Sequence, residues 1–249
     1  MTLKVHTRKT ITFMILIALS FFFFSCSSKP KSYAEKRMLM TENLIKKRGI
    51  ENPRILKAFQ TVPREEFVLP KYKEKAHEDI EVPIAFGETL NRPYEDAVML
   101  ASMEIEPHHK VLEIGTGTGY HTALLSQLAD KVYTIEIEPE YAKKAKSNFE
   151  KLGYKNIFPK TGDGFAGWPE FAPFHRIVMM CSPSEIPIPL KNQLAEDGLM
   201  ILPLGGSERF QELFLYTKKN GELIKVRSIA PTTFSPMKGQ ILEMEDQNP

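Results

Sequence analysis

Val111-Leu112-Glu113-Ile114-Gly115-Thr116-Gly117-Thr118-Gly119-Tyr120 is the stretch on which the fold of this chain turns. Glycines at 115, 117 and 119 follow an apolar run and precede a segment with helical spacing. The backbone has to turn sharply between the two, which glycine permits because it has no Cβ to clash. The missing side chains also let a ligand lie against the backbone. A dinucleotide site prefers G-x-G-x-x-G, with its pyrophosphate at the helix N-terminus. Here the third glycine arrives one residue early, which argues for a different ligand.

Working outward, short apolar runs alternate with helical segments. Strands are expected over 110–114, 131–137, 156–159, 176–180 and 199–202, the last after Gly198. Helices are expected over 120–128, 140–152 and 190–194. This alternation predicts an α/β fold with a doubly wound, mostly parallel sheet covered on both faces. The end of the chain differs. Segments 212–217 and 223–226 flank Asn220-Gly221, a strong short-range hairpin signal, so an antiparallel C-terminal hairpin should finish the sheet. N-terminal helices precede it. Met38, Leu39, Leu44 and Ile45 supply apolar positions over 33–48, with Gly49 as C-cap. Asn52-Pro53 restarts a helix carrying Ile55, Leu56 and Phe59, and Val62-Pro63 ends it. Residues 67–72 are expected to form a loop.

The 249 residues suit one domain of roughly 200 residues plus a short extra piece. Hydrophobic content of 42% is enough for a sizeable core, and a net charge of +2 gives no broad basic face that would call for nucleic acid. The extra piece is N-terminal. Lys4, His6, Arg8 and Lys9 precede an apolar run over 13–19 that Ser20 interrupts and 21–24 complete. That is the pattern of an export signal, and the run is short for a spanning helix. Ser25-Cys26-Ser27-Ser28 resembles a bacterial lipoprotein cleavage site, from which Phe23 and Phe24 depart. Processing there would leave a lipid on Cys26, anchor the exported protein to a membrane and make 27–32 a linker. The alternatives are an uncleaved anchor, or a true start at Met38 or Met40 that would leave the protein cytoplasmic. The division expected is an export segment over 1–26, a linker over 27–32 and a catalytic domain over 33–249.

Two acids downstream of the glycine loop extend the ligand argument. Glu136 closes the next strand, where an acid can accept both ribose hydroxyls. Asp163 lies in Gly162-Asp163-Gly164, just past the third strand. The E-x-G-x-G-x-G pattern of Glu113, Gly115, Gly117 and Gly119 resembles motif I of the Rossmann-like class I methyltransferases. The resemblance implies that this loop, with Thr116 and Tyr120, holds the methionine part of S-adenosylmethionine, and that Asp163 and Gly164 border the adenine. The product would be S-adenosylhomocysteine, and no metal is expected.

From about residue 38 to 240 the chain is similar to the protein-L-isoaspartate O-methyltransferases. The likeness rests on Arg48-Gly49-Ile50, Val62-Pro63-Arg64-Glu65-Glu66-Phe67-Val68, Glu78-Asp79-Ile80 and Val82-Pro83-Ile84. It continues through Gly167-Trp168-Pro169-Glu170, Ala172-Pro173-Phe174, Gln193-Leu194, Leu202-Pro203-Leu204-Gly205 and Phe234-Ser235-Pro236-Met237. It implies methylation of the carboxylate of L-isoaspartyl residues in damaged proteins or peptides, followed by collapse to a succinimide whose hydrolysis restores some aspartate. A monomer is expected. The family's acceptor loop usually reads G-x-T-I-S-x-P, whereas this chain has Gly87-Glu88-Thr89-Leu90-Asn91-Arg92-Pro93. Thr89 and Pro93 match, Asn91 occupies the position of the active-site serine, and Arg92 replaces a small or amide residue. An asparagine amide still donates hydrogen bonds, with different reach. Arg92 could grip the acceptor carboxylate bidentately, or pair with Glu88 or solvent. The departure leaves two other readings open: a methyltransferase of this fold with another acceptor, and a non-catalytic envelope lipoprotein that kept the fold.

Among the remaining residues with chemical potential, His108 and His109 are expected to be solvated loop residues. His121 either touches the ligand or sits at the surface, and Cys181 is expected to be inert and partly buried.

Overall fold

The computed structural model describes residues 31–85, 87–205 and 210–241; the expected export segment and Cys26 lie outside the described residues. The first element is helix α1 (Tyr33–Met40), continued by a π-helical turn (Thr41–Ile45) and a 3-10 turn (Lys46–Arg48). Gly49 ends this run at φ 95°, a left-handed cap that suits a residue without Cβ. Helix α2 (Pro53–Thr61) starts where Asn52 Oδ1 accepts from the Arg54 amide at 3.0 Å, with Pro53 in the first turn, where a missing N–H costs nothing. The loop expected over 67–72 is instead overlapped by a 3-10 helix over Pro70–Lys75.

A small antiparallel hairpin follows, β1 (Val82–Ala85) with β2 (Glu88–Leu90), and then helix α3 (Pro93–Ser102). Neither is foreshadowed by periodicity. Helix α3 buries Asp96, Ala97, Met99, Leu100 and Ser102 together, so its sequence shows no separate polar stripe.

The main sheet contains β3 (Lys110–Ile114), β4 (Lys131–Glu136), β5 (Ile157–Thr161), β6 (Phe174–Met179), β7 (Leu194–Leu204), β8 (Gln211–Lys219) and β9 (Glu222–Thr232). Helix α4 (Tyr120–Ser126) joins β3 to β4, α5 (Pro139–Leu152) joins β4 to β5, and α6 (Ile188–Gln193) leads into β7. The strand order is β5-β4-β3-β6-β7-β8-β9. The first five in that order run parallel, and β8 and β9 are antiparallel. The doubly wound, mostly parallel sheet and the C-terminal hairpin therefore stand as expected. Asn220 and Gly221 form the hairpin turn with φ of 52° and 79°, the positive angles that a right-twisted two-residue turn requires.

Alternation along the strands divides the core between the two sheet faces. Val111, Val132, Val178 and Ile201 face one apolar cluster, which Phe59, Phe67, Tyr120, Leu124 and Phe149 complete. Leu112, Tyr133, Ile177 and Met200 face the other, with Phe165, Phe174 and Leu190. Strand order reverses between β3 and β6, which opens a crevice beyond their C-terminal ends.

Candidate functional site: a cleft at the ends of β3, β4 and β6

A solvent-open cleft lies at that crevice. One wall is the glycine loop. Gly115, Gly117 and Gly119 have φ of 94°, 55° and 94°. A Cβ on Gly119 would lie 2.5 Å from a Phe149 ring carbon, so α4 can start only where that side chain is absent. Met180 N donates to Ile114 O at 2.8 Å and closes the floor beside Gly115.

Glu136 lies at the mouth, buried, and its two oxygens accept from the Gly117 amide (2.7 Å) and the Glu138 amide (3.0 Å). Burial pushes its pKa up, and these two amides counteract the shift. Thr116 Oγ1 lies 2.6 Å from Thr134 Oγ1. Gly164 lines the cleft, as do Thr116, Tyr120 and Glu136.

Three residues expected to hold the ligand, Glu113, Gly119 and Asp163, do not themselves line the cleft. Glu113 is fully buried behind the loop, where it accepts from His121 Nδ1 (2.9 Å), Thr134 Oγ1 (2.7 Å) and Thr122 Oγ1. It anchors α4 to β3 and β4 and does not line the cleft. Asp163 spends both oxygens on backbone, accepting from Phe165 N (2.8 Å) and Gln240 N (2.7 Å). It fastens a strap and is also absent from the lining.

The opposite wall is the loop from β2 to α3. Thr89 and Asn91 line the cleft. Arg92 does not: it is the exposed cap residue of α3, with no ion-pair partner among the described residues. The pairing with Glu88 is not formed in this structure, and Arg92 is left to solvent. Asn91 Nδ2 donates to Asp96 Oδ1 at 3.3 Å, and Asn91 O accepts from Arg64 Nη2. Arg64 is wholly buried. Its Nε donates to Ala76 O at 2.7 Å, Nη1 lies 3.5 Å from Asp96 Oδ2, and its guanidinium packs 4.6 Å from the Tyr120 ring centroid. Burial raises the Asp96 pKa, against the opposing pull of His121, Arg64 and the Asn91 amide. Asp96 lines the cleft, and sequence patterning does not single it out; its signal is a lone acid on the buried side of an apolar helix.

Segment 234–241 closes the cleft from above. Ser235 Oγ donates to Glu88 Oε2, Met237 N donates to Ser182 O at 2.7 Å, and Lys238 Nζ pairs with Glu138 Oε1 at 2.7 Å. With Gln240 held by Asp163, the strap is tied to the acceptor loop and to the ends of β4, β5 and β6.

The histidines divide differently from expectation. His108 is exposed, but His109 is buried and stacks on His175 at 5.0 Å, its Nδ1 accepting from Glu106 N at 2.9 Å. Desolvation, then the positive charge of Arg176, pushes its pKa down to about 4. His121 is buried and lines the cleft, so its surface alternative is excluded. Cys181 is half-buried on the cleft wall, and burial followed by the charges of Glu136, Asp163 and Glu88 pushes its thiol up to about 12, which keeps it protonated and unreactive.

The sequence model of the protein-L-isoaspartate(D-aspartate) O-methyltransferase family matches residues 34–241. A protein-L-isoaspartate O-methyltransferase of Dictyoglomus turgidum is 41% identical over 208 residues, covering 84% of this chain and 93% of the relative. One from Gloeobacter violaceus is 40% identical over 198 residues, covering 80% and 96%. A solved protein-L-isoaspartate O-methyltransferase superposes with a TM-score of 0.77 at 31% identity, over 86% of this chain and 69% of that one.

Proposed function

The chain belongs to the protein-L-isoaspartate(D-aspartate) O-methyltransferase family, and from that premise we propose that it methylates the carboxylate of L-isoaspartyl residues in damaged proteins, with S-adenosylmethionine as donor. The observation that carries this reading is the family match across residues 34–241, which takes in both walls of the cleft and the strap.

The cleft fits the donor. Thr118 Oγ1 is buried on its wall with no partner among the described residues, as expected where a polar ligand completes the bonding. Gly117 is open to the cavity: a Cβ built there would meet only Ile84 Cδ1, at 3.8 Å. Its backbone can therefore lie close to a ligand, and Glu136 keeps lone pairs for ribose hydroxyls. S-adenosylmethionine supplies a methyl group made electrophilic by its sulfonium, and the carbon–sulfur electron pair leaves with the sulfur.

The chain's residues have little proton chemistry to perform, because the acceptor carboxylate is already ionised near neutral pH. Their task is alignment and dryness. Thr89 and Asn91 sit on a loop that Arg64 and Asp96 hold from beneath. Ile84, Leu90, Met180 and Met237 supply apolar wall. The test is transfer of radiolabelled methyl to an isoaspartyl peptide beside its aspartyl twin. Base-labile methyl ester on the first alone is expected, and equal labelling of both would sink the assignment.

For the N-terminus we propose export and lipid attachment at Cys26, on the strength of the basic residues, the apolar run and the Ser-Cys junction. Labelled palmitate should enter the protein and be lost in Cys26→Ser. Unlabelled parent protein would instead favour an uncleaved anchor or a start at Met38 or Met40.

A further inference from the structure

His121 has one ring nitrogen without a partner among the described residues. Nδ1 lies 2.9 Å from Glu113 Oε1, while Nε2 is buried without a partner, on a residue that lines the cleft and is 5% exposed. A buried polar atom left unpaired is costly, so it persists where a ligand supplies the missing bond. The ring cannot turn away. Glu113 is itself locked by Thr122 and Thr134, and it fixes both the ring plane and the proton on Nδ1.

The charged groups facing the ring are Glu113 from β3 and Asp96 from α3, with Arg64 beyond Asp96. Burial alone would lower the imidazole pKa; the Glu113 hydrogen bond and the charges of Asp96 and Glu113 outweigh it and raise the pKa. In the protonated ring both nitrogens donate, so Nε2 offers an N–H on the cleft wall. An acceptor carboxylate entering past Thr89 and Asn91 meets the carboxyl group of Asp96 on the same wall, and an imidazolium there offsets the repulsion. The serine hydroxyl usual in the family's acceptor loop is missing, and the Asn91 amide is already directed to Asp96.

We propose that His121 Nε2–H receives the acceptor's carboxylate and takes over the donor role left open by Asn91, an inference that rests on the isoaspartyl reading above. The experiment uses the full chain with an isoaspartyl peptide, measuring peptide KM and kcat together with S-adenosylhomocysteine affinity by calorimetry. His121→Ala should raise peptide KM about tenfold or more near neutral pH and leave the calorimetric Kd within about twofold. His121→Gln, whose amide still donates, should recover most of that loss. Wild-type peptide KM should climb as pH rises above the ordinary imidazole range and the imidazolium is lost, whereas the Gln variant should stay flat. A Kd weakened as much as KM would overturn the proposal by assigning the ring to the donor. A flat wild-type KM profile would overturn it too, and that measurement needs no variant to fold. Protein that binds S-adenosylhomocysteine but methylates no isoaspartyl peptide would remove both the activity reading and this one, an outcome distinct from the other two.

Discussion

The two walls of the cleft are held by different physics. The glycine loop is fixed sterically: backbone at positive φ, packed against Phe149 and Met180, with nothing to titrate in the turn itself. The acceptor loop is fixed ionically, by a buried Arg64–Asp96 pair that also reaches Asn91 through a side chain and a carbonyl. A steric wall tolerates changes of charge nearby and fails when volume is added. An ionic wall fails when one partner is removed, since the survivor is left buried and unpaired.

That contrast can be broken most directly at Arg64. Arg64→Ala should lower stability by about 3–5 kcal/mol in urea denaturation, because Asp96 loses its cation and Ala76 O and Asn91 O lose their donor. A loss under about 1 kcal/mol would mean that the pair contributes little to the wall. On the other wall, Gly119→Ala should cost about 2–4 kcal/mol through the Phe149 overlap and the strained φ, and S-adenosylhomocysteine binding should vanish in calorimetry. Retained binding would show that the loop adapts and is not sterically fixed.

A region remote from both walls supplies a control. His109 has its pKa depressed in the folded chain, so the unfolded chain binds more protons between about pH 6.5 and about 4. Its contribution is therefore fully present above about pH 6.5 and lost as pH falls toward about 4, about 1–2 kcal/mol by pH 5. His109→Asn should flatten that slope in thermal melts without moving peptide KM. The smallest effect is expected at Asn91→Ser: about 1 kcal/mol or less of stability, unchanged S-adenosylhomocysteine affinity, and a several-fold fall in peptide kcat/KM, because serine is too short to reach Asp96. A rise in kcat/KM would show that the amide obstructs the acceptor.

What could be foreseen from the residues follows the same division. The alternation of strands and helices beyond the loop, the hairpin at Asn220-Gly221 and the glycine turn all depend on local rules, which leave marks in a sequence. The acceptor wall depends on residues far apart in the chain, Arg64 with Asp96 and Asp96 with His121, and no spacing rule joins them. Glu113 and Asp163 show the converse: a motif marks them as ligand contacts, while the bonds they make within the chain run to α4 and β4 and to the strap. Arg92 has chemistry that suits a carboxylate, and the structure leaves it exposed at the cap of α3.

The strap over 234–241 is a clasp between two otherwise separate walls. One fastener, Ser235 to Glu88, grips the acceptor loop, and two others, Lys238 to Glu138 and Gln240 to Asp163, grip the ends of the sheet. Residues at the ends of the sheet and residues of the acceptor loop are therefore mechanically joined through a segment that is itself part of the cleft lining.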